Sequence, residues 1–273
     1  MNAERLLVHY TAVRRLTERL CEPLATEDYV VQAMPDASPV KWHLAHVSWF
    51  FETFVLRPTV PQYRPLDARY AVLFNSYYNG VGPQFARPER GHLSRPTVDE
   101  VYAYRAHVDK AMVGLLESRP GRVAPVAAVV ELGINHEQQH QELLVTDVKY
   151  NLSVNPLRPP YARATAHGSC DVSPCPRVKQ AGGTTGIGAD SDAFCFDNER
   201  PRHRVLLAPY ELDSRLVTNA EYLEFVSDRG YERPELWLSD GWRTVRERGW
   251  VAPLYWERGD GGWLAYTLSG MAQ

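Results

Sequence analysis

The chain has 273 residues, of which 44% are hydrophobic and 23% charged, with a formal net charge of -3. That composition is ordinary for a soluble globular protein, and the length suits two units, or one and a part. So small a net charge suggests neither nucleic acid nor a membrane surface as a partner.

The first helix is expected near Ala3 to Cys21. Its Arg5, Arg14, Arg15, Glu18 and Arg19 leave no apolar core of signal-peptide length. Ser38-Pro39 reads as an N-cap followed by proline at the first helical position. It opens an aromatic-rich run from Trp42 to Leu56, which should end at Arg57-Pro58. A long connection, Pro61 to Pro96, follows. Connections of that length are usually functional or disordered. Phe74, Tyr77, Tyr78 and Phe85 argue for an ordered, functional one.

Thr97-Val98-Asp99-Glu100 is a capping box, predicting a helix to about Glu117. A further long helix is expected from about Pro125 to Leu152, and the four together suffice for a bundle. The most apolar run, Val123 to Ile134, is broken by Pro125 and Glu131 and is too short to span a bilayer.

From Pro156 the composition changes, and prolines 156, 159, 160, 174 and 176 mark a linker. Beyond it lie Gly182-Gly183, the strand-like Arg204-Val205-Leu206-Leu207, and a second capping box, Thr218-Asn219-Ala220-Glu221, predicting a short helix through Phe225. Trp237, Trp242, Trp250, Trp256 and Trp263 sit among glycines and charges, as in a loop-rich mixed domain. The expected divisions are residues 1–157, a linker 158–180, and 181–273. The cysteines Cys21, Cys170, Cys175 and Cys195 form no C-x-x-C pair, which disfavours a disulfide framework or zinc ribbon and fits a cytoplasmic location.

His136 and His140 lie four apart, on one helix face, with Cβ atoms about 5–6 Å apart, so both can point at one ion. They continue a stripe of Val129, Leu132 and Leu143 that should face the interior. Buried imidazoles need partners, and a metal or hydrogen bonds from a neighbouring helix would both serve. A third ligand should come from His43 or His46, and periodicity does not choose between them. His9, His92, His107, His167 and His203 have no partner at ligand spacing and read as surface.

The run His136-Glu137-Gln138-Gln139-His140 also matches H-E-x-x-H, a zinc-protease signature. The extended form requires glycine at 143 and histidine at 146, where Leu143 and Thr146 stand. The other common form needs a later helical glutamate. The next glutamate after Glu142 is Glu199, in a glycine-rich region.

Ser38 to His46 with Trp49-Phe50-Phe51-Glu52, the stretch Phe74-Asn75-Ser76-Tyr77-Tyr78-Asn79, Arg87-Pro88-Glu89-Arg90-Gly91, and His136 to Glu142 resemble the ergothioneine-biosynthesis iron sulfoxide synthases. Asp197-Asn198-Glu199-Arg200-Pro201 and Val217 to Tyr222 resemble the start of that family's second domain. The resemblance implies an α+β protein: a DinB-like four-helix bundle followed by a formylglycine-generating-enzyme (sulfatase-modifying) mixed α/β domain, here incomplete because the family's second domain continues further. It implies iron(II) held by three histidines and selects His46 over His43. It implies O2-dependent joining of cysteine or γ-glutamylcysteine to hercynine as a sulfoxide. A sister activity on histidine itself, or a metal-binding bundle without catalysis, remains open, and weak or absent activity is expected of the chain alone. By resemblance Tyr77 and Tyr78 are the active-site tyrosine pair, without a choice between them. Gln139 would help hold the hercynine carboxylate, though it also suits a bond orienting a ligand histidine. Arg87 and Arg90 suit a two-point clamp on the donor's carboxylate.

Overall fold

The computed structural model describes residues 2–163 and 175–273. His167, Cys170 and Pro174 lie outside the described residues. The described chain divides into two compact units, residues 2–163 with 268–270, and residues 175–267 with 271–273.

The first unit is helical. Its long helices are α1 (Ala3–Cys21), α2 (Val40–Phe51), α3 (Val98–Leu116) and α4 (Ala127–Ser153). Asn2 caps α1 by accepting from the Arg5 amide, and Thr97 and Glu100 form the expected reciprocal box on α3. Ser38 is not the cap of α2. Pro39 takes that place, and the Ser38 amide donates instead to Asp147 at 2.8 Å. Nor does the second helix stop at Arg57-Pro58. It passes through a π turn, Glu52–Leu56, into a last turn, Arg57–Thr59. Within that run the Arg57 amide donates to the Glu52 carbonyl, five residues back. A 3-10 turn, Ala124–Val126, precedes α4, so that helix begins at Ala127 rather than Pro125.

Helix α1 packs on α3 and α4, and α2 packs on the same two helices. Every residue of α2 is buried. A helix buried all round has no solvent face to orient it, which is why periodicity leaves His43 and His46 equivalent. Close approach of α2 to α4 depends on Gly133, where a Cβ would sit 2.5 Å from the Phe51 ring.

The second unit holds short strands and helices. Strand β1 (Arg177–Gln180) pairs antiparallel with β4 (Tyr210–Asp213), and β2 (Gly183–Ile187) with β3 (His203–Leu207). A three-stranded sheet orders β5 (Trp256–Gly259), β6 (Gly262–Thr267) and β7 (Gly270–Ala272). The helices are α5 (Asn219–Ser227), behind its Thr218 capping box, and α6 (Ser239–Arg248). Tyr222, Phe225, Tyr231 and Trp237 cluster, with Phe225 and Tyr231 edge to face and the other pairs tilted. Leu206, Leu216 and Leu238 are 79%, 89% and 87% exposed.

Candidate metal centre

On α2, Trp42, His46 and Trp49 recur at i, i+4 and i+7 and so share a face. All three donate ring N–H bonds to carbonyls of one short segment, residues 71–74. Trp42 Nε1 reaches the Leu73 carbonyl at 3.1 Å, His46 Nδ1 the Phe74 carbonyl at 2.6 Å, and Trp49 Nε1 the Ala71 carbonyl at 3.2 Å. The long connection is therefore ordered against the helix, as its aromatics predict. Trp42 and Trp49 stack on the two sides of the His46 ring, at 4.6 and 5.5 Å between centroids. With its Nδ1 proton given to a carbonyl, His46 keeps a lone pair on Nε2.

His136 and His140 on α4 meet that ring. One nitrogen from each of His46, His136 and His140 lies within 4.8 Å of the others. Burial holds all three imidazoles below the usual histidine pKa, with His136 at about 4, so they are neutral donors at pH 7. His136 Nδ1 is buried with no hydrogen-bond partner. Three neutral nitrogens converging from two helices, one ring with an orphaned nitrogen, fit a divalent metal. Three protein nitrogens leave coordination positions for reactants.

His43, the histidine passed over, is also buried and joins the site differently. Its Nδ1 lies 2.9 Å from His140 Nδ1 and its Nε2 lies 3.1 Å from an Asp147 oxygen. Asp147 carries no local signal as a site residue: its only sequence mark is a polar residue seven places after His140, on the same helix face.

The stripe expected on α4 is displaced. Leu132 and Leu143 are 38% and 43% exposed, while Val130, Gly133, Ile134, Glu137, Gln141 and Leu144 are buried. The interior face is rotated by about one residue because polar side chains take part of it. Glu137 is fully buried, accepting from Arg105 Nη2 at 2.6 Å, Thr17 Oγ1 at 2.7 Å and Arg14 Nη1 at 3.0 Å. Burial would raise its pKa, yet Arg105 and Arg14 hold it at about 2. The carboxylate is thus taken up by ion pairs with Arg105 and Arg14 and a hydrogen bond from Thr17. A carboxylate so engaged is not free to be the general base that the zinc-protease reading of H-E-x-x-H requires.

A cleft of about 680 Å³ opens over the histidines, lined by Trp42, Tyr77, Arg87, Arg90, Gln139 and His140 among others. Arg90 is 4% exposed, its guanidinium lies 3.3 Å over the Trp42 ring, and its Nη1 donates to Ser38 Oγ at 2.9 Å. Its Nε is buried without a partner. Burial and the nearby Arg87 lower its pKa to about 9, so it remains charged at pH 7 with little to balance it. Arg87 is exposed at the rim. The paired tyrosines differ. Tyr77 is 72% exposed and lines the cleft, whereas Tyr78 packs on Trp49 at 5.4 Å and Phe54 at 5.3 Å. Burial raises the Tyr78 pKa to about 12. Asn75, fully buried, holds this loop through its bonds to the Tyr78, Gly82 and Pro83 backbone.

No helix among the described residues is long and apolar enough to cross a membrane. Residues 9–144 match the DinB superfamily model, and residues 171–268 match the sulfatase-modifying factor enzyme 1-like domain. The chain is 30% identical over 235 residues to a protein named hercynine oxygenase from Mycolicibacterium smegmatis, covering 82% of this chain and 51% of that protein. A protein of the same name from Mycobacterium tuberculosis is 27% identical over 257 residues, covering 94% and 58%. Ergothioneine biosynthesis protein 1 of Neurospora crassa is 23% identical over 216 residues, covering 72% and 24%. The chain thus spans about half the length of the bacterial relatives it matches.

Proposed function

We propose that this homologue of the hercynine oxygenases binds one iron(II) ion on His46, His136 and His140 and uses O2 to join the thiol of cysteine or γ-glutamylcysteine to the imidazole of hercynine as a sulfoxide. The observation that carries the reading is the convergence of three neutral imidazoles on one point beneath a cleft that also contains an under-partnered arginine. The ion supplies a Lewis-acidic, redox-active centre with positions open for thiol, imidazole and O2.

The chain's own residues would do the rest. Arg90, with Arg87 at the rim, would take the sulfur donor's carboxylate, since a guanidinium fork matches a carboxylate at two points. Gln139, exposed into the same cleft, would hold the acceptor's carboxylate. Tyr77 has its ring in the cleft and would deliver a proton or hydrogen atom, while Tyr78 supports it by stacking at 5.1 Å. The balance is one thiol, one imidazole C–H and one O2 giving the sulfoxide and one water.

The test is anaerobic iron(II) loading, then cysteine or γ-glutamylcysteine, hercynine and O2 at single-turnover amounts, with mass spectrometry of the products. An adduct equal to thiol plus acceptor plus one oxygen less two hydrogens supports the reading. Adduct with histidine alone reassigns the acceptor. Stoichiometric iron with no adduct from either acceptor overturns the synthase and leaves a metal-binding bundle.

A further inference from the structure

Behind the His140 ring lies a line of two side chains, His43 of α2 and Asp147 of α4. An Asp147 oxygen lies 3.1 Å from His43 Nε2, and His43 Nδ1 lies 2.9 Å from His140 Nδ1. Asp147 and His43 are 5% and 3% exposed, so water does not compete for these bonds. The same Asp147 oxygen accepts from the Ser38 amide at 2.8 Å, which fixes it in place.

With both rings neutral, the protons have one arrangement. A carboxylate only accepts, so the His43 proton sits on Nε2. His43 Nδ1 is then an acceptor, and the His140 proton must sit on Nδ1. The lone pair of His140 is left on Nε2. His46 reaches the same tautomer by donating Nδ1–H to the Phe74 carbonyl. Two helices thus set the tautomers of two imidazoles by different means.

We infer that Asp147 and His43 are positioning residues that act in series, the carboxylate setting the His43 tautomer and His43 setting that of His140, so that His140 presents Nε2 to the metal. The inference rests on the metal-centre reading of His46, His136 and His140. Partners behind a ligand imidazole commonly change metal affinity by about 10- to 100-fold. What is specific here is a second imidazole placed between the carboxylate and the ligand.

The experiment uses the full chain loaded with cobalt(II). Affinity is measured by chelator competition, the ligand-field spectrum is recorded, and the metal-free forms are melted as a control for folding. His43→Phe and Asp147→Ala are each expected to weaken binding by about tenfold or more and to shift the spectrum. The double variant is expected to bind no more weakly than His43→Phe, because Asp147 reaches the ligand His140 only through His43. His43→Asn puts an amide oxygen near the lost Nδ1 and is expected to recover most of the affinity. Folded single variants with unchanged affinity and spectrum overturn the series, as do additive losses in the double variant. A wild-type chain that takes up no cobalt or iron overturns the metal centre itself, and the series with it.

Discussion

Arg105 and Glu137 form an ion pair at 2.6 Å with both side chains fully buried, joining α3 to α4. Arg14 of α1 closes the same network at 3.0 Å, so one carboxylate ties three helices together.

Removing that carboxylate leaves the buried Arg14 and Arg105 with only their more exposed carboxylate partners, Asp109 and Glu18. Glu137→Gln is expected to destabilise the helical unit by about 3–5 kcal/mol, the usual cost of breaking a buried pair from one side. Urea unfolding followed by circular dichroism checks it. A change under 1 kcal/mol would show that the network contributes little to stability.

Gly133 sets the distance between α2 and α4, and with it the distance from His46 to His136. Gly133→Ala puts a methyl 2.5 Å from the Phe51 ring and 2.9 Å from Phe50. Overpacking of this kind costs about 1–3 kcal/mol. The expected result is a lower melting temperature together with weaker metal binding, even though residue 133 touches no ligand atom.

Metal binding should stabilise the folded chain. At a free metal concentration of 100 times Kd the gain is about 2.7 kcal/mol. A melting temperature that rises with iron(II) or cobalt(II) is therefore expected, and His46→Ala should abolish the rise. An equal rise in that variant would move the binding site elsewhere.

Arg90→Lys keeps the charge but loses the planar fork and the stacking on Trp42. Affinity for cysteine on the cobalt-loaded chain is expected to fall about tenfold or more, with cobalt affinity changed by less than about twofold. Thiol titration followed optically separates the two effects.

Cys21 is 1% exposed, and burial raises its thiol to about 11 against the opposing charge of Arg105. A raised pKa means that its contribution to stability is fully present below the ordinary value of 9.0 and is lost as pH rises through about 11. The native thiol should resist alkylation at pH 8 and react once the chain is unfolded. Unfolding curves at pH 8 and above 10, for wild type and Cys21→Ala, should diverge at the higher pH.

Much of this architecture is written in short-range signals. The capping boxes at Thr97 and Thr218 mark helix starts because each joins groups three residues apart. The pairing of His136 with His140 follows from one helical turn. Signals of that length also mislead. Ser38-Pro39 looks like a cap, yet the serine amide and hydroxyl are taken by Asp147 and Arg90, partners 109 and 52 residues away.

The amino-acid sequence by itself determined where the long helices lie, which histidines share a face of α4, and, through its long motifs, the kind of protein to which the chain is related. The tertiary structure alone decided that Glu137 pairs with two arginines, that Tyr77 and not Tyr78 opens into the cleft, and that His43 stands behind His140 with Asp147 at its back. The reason is physical. Helix periodicity orients a side chain only when one face is wet, and α2 is buried on every side. Which buried polar group meets which depends on contacts closed across 32 to 104 residues, and those exist only after the helices have packed.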